Sequence, residues 1–144
     1  MSNNMKKIES NINKFALVVD DRDSHLQIVC KAIVNKGYHI ETATSYKEAK
    51  IRVIEKKPTG GYDLIVSDYD LGSKIWLKYR MFHGFFFLFW CVRQGIKAEM
   101  ILHSTAFEPN QRFGLFIHGK LLRVIPISEM LGIHVQPKSN LLNN

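Results

Sequence analysis

Cysteine is scarce: the 144-residue chain has two, Cys30 and Cys91, each among apolar residues in a stretch of helical spacing. Buried thiols are therefore expected rather than a bridge or a metal pair, as suits a reducing cytoplasm. Long apolar runs are also lacking. The strongest, residues 85–92, falls well short of the roughly 20 residues that a membrane helix needs. The opening MSNNMKKIESNINK contains no apolar stretch of the kind that marks an export signal. A cytoplasmic location without membrane association is the expectation. No internal repeat or low-complexity tract occurs, and His25, His39, His83, His103, His118 and His134 show no metal-ligand spacing with the cysteines, so they read as structural or solvent-facing. Acidic residues number 13 against 20 basic ones, for a formal net charge of +7. The basic residues are dispersed and form no stripe that would track a phosphate backbone, so direct DNA binding is not expected.

What is present suits one folded domain. The length fills a single core, and a hydrophobic fraction of 46% supplies enough apolar surface to offset the entropy of ordering the chain. FALVV (residues 15–19) is a continuous apolar run, as a strand buried on both faces requires. From Ser24 the apolar positions Leu26, Val29, Cys30, Ile33 and Val34 form a helical stripe that Gly37 stops. HIETAT (residues 39–44) reads as a strand, and residues 46–57 read as a helix with Tyr46, Ala49, Val53 and Ile54 inward. Pro58, Gly60 and Gly61 break the chain before a third strand over residues 62–67. FFFLFWCVRQG (residues 85–95) reads as a buried helix and MILHSTA (residues 100–106) as a fourth strand. Mainly helix is expected between residues 109 and 132, interrupted by Pro126, and GIHVQPK (residues 132–138) is the candidate fifth strand. Strands alternating with helices predict right-handed crossovers and a doubly wound parallel sheet of the flavodoxin-like α/β class, five strands in order 2-1-3-4-5.

In such a sheet the carboxyl ends of all strands share one edge, and ligands bind where the strand order reverses. That edge would receive Asp20 and Asp21 from the first strand and Asp68 from the third, with Ser104 from the fourth and Lys138 from the fifth alongside. Crowded carboxylates repel unless protons or a cation neutralise them. Hard oxygen ligands on an open rim suit Mg²⁺, and a carboxylate beside such an ion can act as nucleophile in phosphoryl transfer. The more ordinary readings are helix capping by Asp20-Asp21 or by Ser104-Thr105, turn formation by Asp68 and Asp70, and a solvated Lys138.

VVDD (residues 18–21), IVSD (residues 65–68), HSTA (residues 103–106) and QPK (residues 136–138) together resemble the receiver domain of two-component response regulators, closely over residues 15–71 and in patches beyond. The resemblance implies residues 1–14 as an N-terminal extension to a single receiver-like domain over residues 15–144. It implies that Asp68 accepts a phosphoryl group from a histidine kinase, a phosphotransfer protein or a small phosphodonor. It further implies that Asp21 and Asp68 bind Mg²⁺ directly, that Asp20 helps through water, and that the backbone carbonyl of Asp70 adds a ligand. Lys138 would pair with the phosphoryl oxygens and Ser104 would move to meet them, so that the domain is a switch rather than an enzyme and signals to a downstream protein partner.

The departures from that pattern carry expectations of their own. The Asp-Gly or Ser-Gly pair that ends the loop after the phosphoacceptor has its nearest match at His83-Gly84, which implies an insertion over residues 74–82 whose Trp76, Tyr79 and Phe82 could form a docking patch. Val135 stands where a switching Tyr or Phe is usual, and Ser139 where a proline is usual. Only SNLLNN comes after Lys138, so the fifth helix is expected to be missing or replaced, by another segment or by a homodimer partner. Two alternatives stay open: a degenerate receiver acting as a phosphorylation-independent binding or dimerisation module, and a haloacid-dehalogenase-like phosphatase. DRDS (residues 21–24) resembles the start of the latter, but no acidic pair comes after Lys138.

Overall fold

The computed structural model describes residues 13–69, 71, 83–104, 113–117 and 120–126. The chain forms β1 (Lys14–Val19), α1 (Asp23–Val34), β2 (Tyr38–Ala43), α2 (Tyr46–Lys56), β3 (Leu64–Asp68), α3 (His83–Arg93), β4 (Glu99–Ser104), β5 (Phe113–Ile117) and β6 (Lys120–Pro126). The strands make one sheet in the order β2-β1-β3-β4-β6-β5. β1, β2, β3, β4 and β6 run parallel.

Alternation along β1 and β3 divides the core in two. Leu17, Val19 and Ile65 point to the side covered by α2 and α3, where they meet Ala49, Val53, Phe87, Leu88 and Cys91. Ala16, Val18, Leu64 and Val66 point to the other side, against Leu26, Val29 and Ile33 of α1. Both faces of β1 are therefore buried within one chain, and β1 gives no reason to invoke a second copy. Cys91 is buried and Cys30 half-buried, and neither forms a disulfide. Val34 and Ile54, expected to face inward, are instead 55% exposed, because the buried stripe of each helix is narrower than its apolar pattern.

Local signals fix the helix ends. Ser45 caps α2 by accepting the Glu48 N–H at 3.1 Å, while Glu48 reaches back to the Thr44 N–H at 3.0 Å, a variant of the reciprocal capping box. α1 closes when the Gly37 N–H bonds the Val34 carbonyl at 2.9 Å, with Gly37 at φ 90, where glycine is favoured.

The C-terminal part departs from expectation. Where the sequence pattern suggests mainly helix, β5 and β6 pair antiparallel, with Phe113 beside Val124 and Ile117 beside Lys120. β6 takes the fifth parallel position next to β4, with Ile101 beside Arg123, and residues 132–138 lie outside the described residues. Among the described residues the sheet thus has six strands where five were expected. The physical reason is geometric: β5 runs back down the sheet, so β6 can start at the same end as β4 without the helical crossover that parallel neighbours ordinarily need. The chain after Pro126, including any substitute for a fifth helix, lies outside the described residues, as do residues 72–82. Among the described residues no helix is long and apolar enough to cross a membrane.

Candidate functional site at the carboxyl edge of the sheet

β1, β3 and β4 end side by side, with Val19 level with Ser67 and Asp68 level with His103. Asp20 comes directly after β1 and is held there by its N–H bond to the Ala43 carbonyl at 3.1 Å. Asp68 ends β3, and the next residue, Tyr69, donates its N–H to the His103 carbonyl at 2.8 Å. The sheet ladder itself thereby brings carboxylate oxygens of Asp20, Asp21 and Asp68 within 4.8 Å of one another. Asp20 and Asp68 are buried, and Asp21 is half-exposed.

Asp20 does not cap α1. Its Oδ1 accepts the N–H of Arg22, the N-cap residue, at 2.9 Å, while Oδ2 is buried without a hydrogen-bond partner. His25 Nδ1 stands 3.8 Å from that oxygen. Burial raises the Asp20 pKa above the ordinary carboxylate value; the Arg22 N–H and the charges of His25 and Arg22 offset this in part. An orphaned buried carboxylate oxygen facing two other carboxylates is what a hard cation would satisfy. The donor set fits Mg²⁺.

Two residues beside Asp68 escape a reading of the sequence alone. Arg22 places Nη2 3.4 Å from Asp68 Oδ2, with 42% of its side chain exposed. His103, expected to be structural or solvent-facing, is fully buried, and its Nδ1 lies 3.9 Å from Asp68 Oδ1. Burial pushes the His103 pKa down to about 4, with the nearby charges of His25 and Arg22 adding to the effect. His103 is thus neutral at physiological pH and is no counter-ion, and neither ring nitrogen has a hydrogen-bond partner. The available signal for Arg22 is its place directly after an acidic pair at a helix start; for His103 it is a polar side chain inside an apolar strand.

α3 also touches the site. The Gly84 N–H bonds the Tyr69 carbonyl at 3.2 Å, and a Cβ on Gly84 would overlap the Asp68 backbone carbonyl oxygen. Glycine at position 84 therefore has a steric basis. Ser104 is the last residue of β4, level with Pro126 of β6. Asp70 and Lys138 lie outside the described residues, as do Trp76, Tyr79 and Phe82.

No family model matches the chain, and no curated protein does. Solved structures do match. The N-terminal domain of a response regulator/sensory box/GGDEF three-domain protein from Carboxydothermus hydrogenoformans is similar with a TM-score of 0.53 at 21% identity, over 78% of this chain and 80% of that one. A CheY-like response regulator receiver domain from Methanospirillum hungatei is similar with a TM-score of 0.50 at 19% identity, over 67% of each chain. The chain has the receiver-domain fold.

Proposed function

We propose that this chain is a phosphoacceptor module of a two-component system, in which Asp68 takes a phosphoryl group from a histidine kinase, a phosphotransfer protein or a small phosphodonor. One observation carries the reading: on a receiver fold, Asp20, Asp21 and Asp68 bring carboxylate oxygens within 4.8 Å at the carboxyl edge of the sheet. An Asp68 carboxylate oxygen attacks phosphorus, the donor's bond to phosphorus breaks, and the leaving group keeps that electron pair. Asp20, Asp21 and Asp68, with the Asp70 carbonyl, would hold Mg²⁺, which when bound neutralises the carboxylates and the incoming phosphoryl oxygens. The module is substrate rather than enzyme, works in the cytoplasm, and passes its signal to another protein by contact rather than to DNA.

A second reading has its own support. Asp68 is 1% exposed and lies in ion-pair range of Arg22, an arrangement that suits a module retaining the fold as a binding surface without phosphorylation. Intact mass after incubation with Mg²⁺ and acetyl phosphate separates the two. A single phosphoryl adduct that Asp68→Ala abolishes is the expected result; no adduct on the wild type would leave the binding module.

A further inference from the structure

We infer that Arg22, at the β1–α1 junction, is among the described residues the cation that holds the phosphoryl group once it is on Asp68; this rests on the phosphoacceptor reading. Its backbone is fixed to the site by the 2.9 Å bond from its N–H to Asp20 Oδ1, and its carbonyl accepts the Leu26 N–H at 2.9 Å. Its side chain makes no helix-cap bond and is 42% exposed. An anchored backbone and a half-exposed guanidinium together make an arm of fixed origin and adjustable reach.

At 3.4 Å from Asp68 Oδ2, Arg22 Nη2 stands beyond the roughly 2.8 Å of a tight charge-assisted bond. The guanidinium therefore has slack in the direction in which Asp68 grows when an oxygen gains a phosphoryl group. Transfer replaces the single charge of the carboxylate by a dianionic group with three outward oxygens, and the planar fork of an arginine matches two of them at once. His103 is fully buried and faces the other Asp68 oxygen, Oδ1, at 3.9 Å, so it lacks the solvent-side reach that Arg22 has. A divalent cation among the carboxylates, by contrast, is repelled by Arg22. The same side chain thus opposes the metal and favours the phosphoryl group, a pairing of signs that a purely structural arginine would not produce.

The experiment compares the full chain with Arg22→Ala and Arg22→Lys, with circular dichroism as a folding control. Mg²⁺ alone and beryllofluoride with Mg²⁺ are titrated calorimetrically, and the lifetime of the phosphoryl adduct is tracked by intact mass after the phosphodonor is removed. Arg22→Ala is expected to bind Mg²⁺ at least as tightly as wild type, yet to lose about tenfold in beryllofluoride affinity and adduct lifetime, as the loss of a charge-assisted bond implies. Arg22→Lys falls between, because charge survives without the fork. Equal adduct lifetimes in wild type and Arg22→Ala would overturn the inference while leaving the phosphoacceptor reading intact. Weaker binding of Mg²⁺ and beryllofluoride together would also overturn it, by making Arg22 structural. A wild type that takes neither phosphoryl group nor beryllofluoride would overturn both.

Discussion

Substituting Gly84 by alanine sets two effects of known sign against each other. Gly84 is the second residue of α3, where alanine is favoured over glycine by up to about 1 kcal/mol. The added methyl, however, meets the Asp68 carbonyl oxygen with the Asp68 carbonyl carbon and Tyr69 Cα behind it. All three are backbone atoms, so no side chain can rotate away, and either α3 or the end of β3 must shift. Overpacking of this kind costs about 1–3 kcal/mol, which after the alanine gain leaves a net loss of up to about 2 kcal/mol, or a thermal midpoint lowered by up to about 8 °C. Urea and thermal melts measure the loss, and phosphoryl uptake at Asp68 measures the shift at the site. Gly95→Ala provides the contrast: Gly95 has φ +71 with nothing near its Cβ position, so alanine there is strained without touching Asp68. It should lower stability by about 1 kcal/mol and leave uptake alone. A Gly84→Ala protein more stable than wild type, with unchanged uptake, would show that α3 does not abut the end of β3.

The remaining expectations concern charge. His103 is held at about 4 in the folded state against an ordinary value of 6.5, so below about pH 6.5 the unfolded chain binds the proton first. Stability linked to His103 is complete above that pH and declines by about 3 kcal/mol as the pH falls towards 4; His103→Leu should flatten this acid limb in urea melts. Asp20 has the opposite slope, because its raised pKa makes the folded state the better proton acceptor above pH 3.8. Without divalent cation, Asp20→Asn should be more stable than wild type at pH 7, the gap closing in acid, while Mg²⁺ should raise the melting point of wild type only. Lys56 Nζ sits 3.0 Å from Glu41 Oε2 and 3.8 Å from the Phe15 ring centroid, so Lys56→Met should lower stability by about 1–2 kcal/mol, with salt weakening the wild type more than the variant.

How much of this is legible in sequence depends on whether local pattern and tertiary outcome agree. β1, α1, β2, α2 and β3 are readable because apolar runs bounded by Gly37, Pro58, Gly60 and Gly61 change period at each boundary. The acidic triad is readable because a parallel sheet delivers all strand ends to one edge. β5 and β6 read wrongly as helix because RFGLFIHGKLLRVIP is apolar enough to suit either period. The neglected signal is His118-Gly119, two residues between apolar runs, which is hairpin spacing. Arg22 and His103 escape because their importance comes from strand register, which places residue 103 level with residue 68, and no single segment displays that.

The spatial order β4-β6-β5 also constrains how the protein can be made. As the chain leaves the ribosome, β5 emerges before β6, yet among the described strands β6 is its only hydrogen-bonded neighbour. β5 has nothing to dock on until the hairpin closes, whereas β1 to β4 can already be assembled outward from the centre. A nascent chain that has emerged only as far as residue 117 should thus hold a four-stranded parallel sheet and an unattached β5. Protease protection across a series of stalled chains should arrive in two steps, the second requiring that residue 126 has emerged.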